Sequence, residues 1–178
     1  MRKNYYSDVF RYYGKAETWK QRFFRPRELQ YIIRMRKCQS TSGLLRKWHS
    51  MRLRSLSQKT LIQIPYSTQI GEGFYIGHCG RIIINPNAIL GKNVNIATGV
   101  TIGQENRGER KGCPVIGNSV WIGTNSVIVG NIKIGDDVLV APLTFVNCDI
   151  PSHSVVVGNP AKIISREAAT AGYIERLV

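Results

Sequence analysis

The stretch from 113 to 135, CPVIGNSVWIGTNSVIVGNIKIG, places an isoleucine at every sixth position: Ile116, Ile122, Ile128 and Ile134. The same spacing runs on to Val140 and Val146, and an earlier register carries it through Ile84, Leu90, Ile96 and Ile102. Glycine follows the aliphatic residue at Gly91, Gly103, Gly117, Gly123 and Gly135. The fourth residue after it is small or β-branched at Ala88, Val94, Val100, Val120, Ser126, Val138 and Thr144. A six-residue interval is one short strand plus one turn, so the aliphatic side chains point inward and stack on their counterparts in neighbouring coils. Glycine and asparagine at the corners would allow the positive φ of tight turns.

Two interruptions break the period. The register slips by two residues between Ile76 and Ile84, and the polar, glycine-containing segment QENRGERKGCPV at 104–115 is expected to protrude as a loop. Before residue 60 the pattern is helical instead. Tyr5, Val9, Tyr12 and Tyr13 share one face and Leu29, Ile32, Ile33 and Met35 another, with a third helix around Leu44, Leu45, Trp48 and Met51. Arg25-Pro26 can open the second helix, and Ser40 to Gly43 would separate it from the third. The reading is a basic helical segment at 1–60, a repeat domain at 61–165 and a helical tail at 166–178.

Charge follows the same division. Residues 1–60 hold 16 Lys and Arg against 3 acids, and residues 61–178 hold 9 against 8, of a total net charge of +14. A basic arm suits an anionic membrane, nucleic acid or phosphorylated ligands. The opening MRKNYYSDVF lacks the apolar core of a secretory signal and no apolar run reaches the ~20 residues of a membrane span, so a cytoplasmic protein is expected. Cys38, Cys79, Cys113 and Cys148 have no C-x-x-C spacing and are read as free thiols.

The elements GEGFYIGHCG at 71–80, NVNIATGVTIG at 93–103, the 113–135 stretch and VVVGNPAKII at 155–164 together resemble the serine acetyltransferase family of the hexapeptide-repeat acyltransferases. Within it, the shorter members of bacterial surface-polysaccharide synthesis look most similar. The resemblance implies a mainly β fold, a left-handed parallel β-helix with a short α-helical N-terminal segment, although crossovers between parallel strands are right-handed in about 98% of cases. It also implies a homotrimer with acetyl-CoA bound along the coils between two subunits, and no metal. His78 falls on the family's catalytic histidine, which takes the proton from the acceptor hydroxyl as that attacks the thioester. Neutral imidazole at cytoplasmic pH suits the task. Gly103, Gly123, Thr124, Ala141 and Pro142 match contacts to the pantetheine and adenine parts of CoA, and Lys162 and Arg166 would meet its phosphates.

Departures from the family pattern bear on the acceptor. Gln63 stands where an aspartate orients the catalytic histidine, Gly77 replaces an aspartate before that histidine, and Gly112-Cys113 replaces an Arg-His pair before Pro114. Cys113 would therefore line the acceptor pocket. Without charged anchors for an amino acid, a sugar or polysaccharide-precursor hydroxyl is the expected acceptor, met by Asn85, Gln104 or Asn106 and resting on Phe74 or Tyr75. Serine O-acetylation for cysteine synthesis is the alternative. A zinc carbonic anhydrase of this fold needs three converging imidazoles, whereas the histidines are His49, His78 and His153, of which His49 and His153 are read as structural. Nucleic-acid binding by the arm is disfavoured because no recognised motif accompanies its Tyr5, Tyr6, Tyr12, Tyr13 and Trp19.

Overall fold

A computed structural model describes residues 5–178; the basic residues among 1–4 lie outside it. Four helices come first: α1 (Tyr5–Tyr13), α2 (Trp19–Phe23), α3 (Arg27–Ser40) and α4 (Gly43–Thr60). The short α2 escapes the sequence reading and is held by a capping box, in which Thr18 and Gln21 exchange side-chain and backbone hydrogen bonds. Pro26 sits at the N-cap of α3, its fixed φ already set for a helix to follow.

Fifteen short strands then wind into three faces of a parallel β-helix of the hexapeptide-repeat kind. The first face stacks β1 (Ile62–Gln63), β4 (Ile82–Ile84), β7 (Thr101–Gly103), β10 (Val127–Val129) and β13 (Phe145–Val146). The second stacks β2 (Gln69–Ile70), β5 (Ile89–Leu90), β8 (Val115–Ile116) and β11 (Lys133–Ile134). The third stacks β3 (Tyr75–Ile76), β6 (Asn95–Ile96), β9 (Trp121–Ile122), β12 (Val138–Val140) and β14 (Ser154–Val157), closed by an antiparallel β15 (Lys162–Ser165). Every aliphatic position of the two six-residue registers is buried, and so are Ala88, Val94, Val100, Val120, Val138, Ser126 and Thr144. Thr101 pairs with Val127, a coil lengthened by the 104–113 insertion, whereas Val127 pairs with Phe145 eighteen residues on.

The corner glycines have a different reason from the one expected. None of Gly91, Gly103, Gly117, Gly123 or Gly135 has positive φ; that conformation falls to Asn93, Ser119, Asn125, Asp137 and Leu143. Gly91, Gly117, Gly123 and Gly135 are there because coils touch. A Cβ on Gly91 would lie 2.6 Å from the carbonyl oxygen of Gly117, and one on Gly135 2.5 Å from the amide nitrogen of Ser152. Only hydrogen fits between such backbones.

A parallel solenoid leaves the backbone edge of its first coil unpaired, which is costly if buried and prone to mispairing if exposed. The helices close that edge with side chains on all three faces. Buried Tyr31 donates its hydroxyl proton to the Ile64 carbonyl at 2.9 Å and accepts from the Ile64 amide at 3.0 Å. Arg36 donates to the carbonyls of Ile70 and Gly71, and Tyr12 brackets Ile76 in the way Tyr31 brackets Ile64. Asp8, fully buried, accepts from the Phe74 amide at 2.8 Å and from the Arg36 guanidinium at 2.9 Å. Burial raises the Asp8 carboxyl pKa, against the pull of Arg36. The apolar cores of α3 and of the coils are continuous through Tyr31, Ile32 and Met35.

Two expectations for the helices fail. Leu44, Leu45, Trp48 and Met51 do not form a buried face, with Leu44 84% exposed; α4 packs instead through His49 and Leu53. The tail after β15 is a run of turns and not a helix. It returns to α1, where Arg176 donates to the Tyr12 carbonyl and the Asn93 side chain pairs with the backbone of Val178. Among the described residues no helix is long and apolar enough to cross a membrane.

Candidate active site

The two-residue slip in the sequence becomes a widened corner. Ile62 pairs with Ile82, twenty residues on, while Ile83 pairs with Thr101 after eighteen, and the excess lies in Gly77–Arg81 between β3 and β4. Buried Ile76 and Ile82 pin both sides of this corner. The Gly80 amide donates to the Thr60 carbonyl at 2.9 Å, tying it to the end of α4, and Gly80, with φ +150, leaves no room for a side chain beside Thr98. His78 projects from the corner, exposed and with no hydrogen bond to any described residue. An imidazole so placed has both nitrogens available to a ligand.

Its neighbour Cys79 is different in character. The thiol donates to the Glu28 carboxylate of α3 at 3.2 Å, and burial together with that carboxylate pushes its pKa up to about 11. It stays protonated beside the histidine and is a poor nucleophile. Gln63 lies on β1 of the first face and makes no hydrogen bond to His78 in this structure. Instead it borders a cavity of about 510 Å³ with Ile83, Asn85 and Gly103 from the coils and Leu53 and Arg54 from α4.

The 104–113 segment protrudes as a hairpin closed by the Glu105–Gly112 pair, whose amides and carbonyls exchange hydrogen bonds at 3.0 Å. Gln104 donates to the Asn106 side chain at 2.7 Å. Cys113 lies half-buried against the core with its sulfur 3.9 Å from Gln104, and burial raises its pKa. This hairpin leaves the first face at the corner toward the second face, whereas His78 enters the first face from the third. Within one subunit the full width of that face separates Cys113 from His78.

The expected CoA residues divide as well. Gly123 and Thr124 stack under Ala141 and Pro142 on the corner column that also carries His78, with Gly123 so close to Pro142 that a Cβ would sit 2.6 Å from its nitrogen. Lys162 begins β15 at the same column. Arg166 follows the other end of β15, where its amide donates to the His153 carbonyl, and the structure does not bring it to that column. Gly103 stands at the far end of β7. Phe74 is fully buried in the core, so no acceptor can rest on it, and Tyr75 packs on Tyr12 with ring centroids 4.5 Å apart.

The remaining histidines have partners of their own. Arg34 donates to His49 Nδ1 at 2.8 Å, which requires a neutral ring, and burial and the neighbouring cations lower its pKa. His153 Nδ1 meets the Asp137 carboxylate at 2.9 Å. Among the described residues no group of three His, Cys, Asp or Glu is placed to hold a metal ion.

Stacked six-residue coils with an unpartnered histidine on a widened corner fit the hexapeptide-repeat class, and residues 113–148 match the family described as bacterial transferase hexapeptide (six repeats). The chain is 35% identical over 118 residues to the serine acetyltransferase of Helicobacter pylori, covering 64% of this chain and 69% of that one. It is 39% identical over 120 residues to serine acetyltransferase 2 of Arabidopsis thaliana, covering 67% of this chain and 37% of that one. The solved serine acetyltransferase of Neisseria gonorrhoeae in complex with serine matches 92% of this chain and 68% of its own, with a TM-score of 0.73 and 26% identity. The chain belongs to the serine acetyltransferase family. It spans about a third of the length of the Arabidopsis relative. These relatives overturn the expected polysaccharide-synthesis branch and its sugar acceptor. The hairpin that lacks the Arg-His pair carries three other cations, Arg107, Arg110 and Lys111, so the changes at Gly77, Gly112 and Cys113 do not strip it of positive charge.

Proposed function

We propose that this protein is an acetyl-CoA-dependent serine O-acetyltransferase with His78 as general base. The observation that carries the reading is the exposed, unpartnered imidazole on a corner held by Ile76, Ile82 and Gly80, in a chain of the serine acetyltransferase family. His78 takes the hydroxyl proton as the serine oxygen attacks the thioester carbonyl. The tetrahedral intermediate then collapses with loss of CoA thiolate, which recovers the proton from the imidazolium. Acetyl-CoA lies along the corner column of Gly123, Thr124, Ala141 and Pro142, with Lys162 toward its phosphates; Pro142 offers that ligand no N–H.

The active unit is a homotrimer. Within one subunit the hairpin bearing Gln104 and Cys113 and the corner bearing His78 occupy opposite edges of the first face, so a complete site takes the hairpin from a neighbour. The outward row of that face, Ile83, Thr101, Val127 and Phe145, is uncharged and half-buried, which suits such packing. Arg107, Arg110 or Lys111 replaces the absent Arg-His pair as partner of the serine carboxylate. Exposed Trp19, Phe23 and Phe24 beside the basic residues of α2 favour a loose, salt-sensitive contact with an anionic bilayer.

Thiol release from acetyl-CoA in the presence of serine tests the reading. His78→Ala is expected to lower kcat by about two orders of magnitude or more with CoA affinity retained. Undiminished turnover in that variant, or no turnover of serine by the intact trimer, would overturn it.

A further inference from the structure

The helices enclose a second site that acyl transfer does not use. Between α2, α3 and α4 lies a cavity of about 380 Å³ lined by Arg22, Arg27, Arg34, Lys37, Arg52 and Lys59, together with Arg25, and by no carboxylate among the described residues. Helical spacing puts them there. Arg27, Arg34 and Lys37 follow one another along one side of α3, while Arg52 and Lys59, two turns apart, line the facing side of α4. Arg25 is already paired with Glu17, and Arg34 and Arg52 flank the Trp48 ring at 4.9 and 6.0 Å. Crowding of like charges disfavours the folded state, and the pKa of Arg34 is lowered by burial and by Arg52. Such a cluster persists at a cost in stability that an anionic ligand offsets.

The cavity adjoins the histidine corner. Lys59 precedes Thr60, whose carbonyl holds Gly80, and Arg27 precedes Glu28, whose carboxylate holds Cys79. Its recess is of small-molecule size, and its lining carries both guanidinium and ammonium groups, the donors that recognise linked phosphates. A flat bilayer surface would not reach into it.

We propose that this cavity binds a small molecule carrying a diphosphate or longer phosphate chain, at a site separate from that of the acyl donor. The inference goes beyond the acyl-transfer reading and is tested without turnover. Inorganic pyrophosphate titrated calorimetrically into the full chain at ~50 mM salt, where surface charge is only partly screened, should bind saturably, one per subunit. Arg52→Gln with Lys59→Gln should weaken binding by about tenfold or more, whereas Lys15→Gln with Lys47→Gln, which removes the same charge elsewhere, should change it by less than about threefold. The first pair should melt no lower than the parent, because it relieves repulsion. Lys162→Gln, on the column proposed for the acyl donor, should likewise change binding by less than about threefold, which separates the two sites. No saturable binding, equal weakening by both pairs, or as large a loss in Lys162→Gln as in the Arg52 and Lys59 pair would overturn the proposal. So would binding confined to phosphatidic acid vesicles with none to free pyrophosphate, which would assign the cations to a lipid surface.

Discussion

Tyr31→Phe removes one oxygen atom and exposes how the solenoid is terminated. The hydroxyl donates to the Ile64 carbonyl and accepts from the Ile64 amide, and both residues are about 2% exposed. The ring stays, so no cavity opens beyond the lost hydroxyl, and the loss falls on two buried backbone groups left without partners. At ~1–3 kcal/mol for each unsatisfied group, the variant should be destabilised by roughly 2–6 kcal/mol. Urea unfolding at fixed protein concentration measures this, with an unchanged slope confirming that the denatured state is unaltered. Tyr13→Phe, whose hydroxyl has no partner in the structure, should shift stability by less than about 0.5 kcal/mol. Amide exchange at Ile64 should accelerate in the first variant alone. A loss below about 0.5 kcal/mol for Tyr31→Phe would show that water replaces the hydroxyl without penalty, and the account of the helices as an edge closure would fall.

Gly91→Ala should cost about 1–3 kcal/mol although its φ is ordinary, since the added methyl meets the Gly117 backbone; a neutral effect in thermal melts would refute the contact explanation. Asp137 and His153 give stability a pH window. Burial opposes the carboxylate, but hydrogen bonds from Thr170, His153 and Ala169 outweigh that and lower its pKa, so its contribution is present above the ordinary value near ~3.9 and fades as pH falls through the depressed one. The hydrogen bond to Asp137 raises the His153 pKa, so that contribution is complete below ~6.5 and is lost as pH rises through the raised value. Melting temperature should decline on the alkaline side in the parent, and His153→Gln should remove that decline; an unchanged alkaline limb would count against the pair. Cys79, with its pKa at about 11, should be alkylated by iodoacetamide at pH 8 roughly a hundredfold more slowly than an unperturbed thiol, and Glu28→Gln should narrow the gap. Equal rates for parent and variant would refute the role given to Glu28.

The solenoid was legible because its signal is one of repetition: a buried isoleucine every sixth residue survives any local noise, as Ile116, Ile122, Ile128 and Ile134 do. The reason for Gly91 and Gly117 was not legible, because close approach between coils depends on residues about twenty positions away that no local rule connects. The same holds for Asp8 and Arg36, which count as surface charge in a composition yet lie buried against the first coil. Leu44, Trp48 and Met51 carry a helical period without being covered by the subunit, and periodicity alone does not reveal which face finds a neighbour. The slip before Ile84 marked the histidine corner in advance. The basic cavity was visible only as a charge total, since lining residues from three helices converge through tertiary packing.

Because the helical closure sits on the first coil and His78 on the corner that ends it, the proposed general base stands at one extremity of the molecule. Coils beyond β7 act as a ruler laid away from that point. Lengthening or shortening the chain by whole eighteen-residue turns between β10 and β13 would move Ala141, Pro142 and Lys162 along the stack in steps of one strand spacing, about 4.8 Å, while leaving the histidine untouched. The fold thus lets the length of that corner column change independently of the histidine corner.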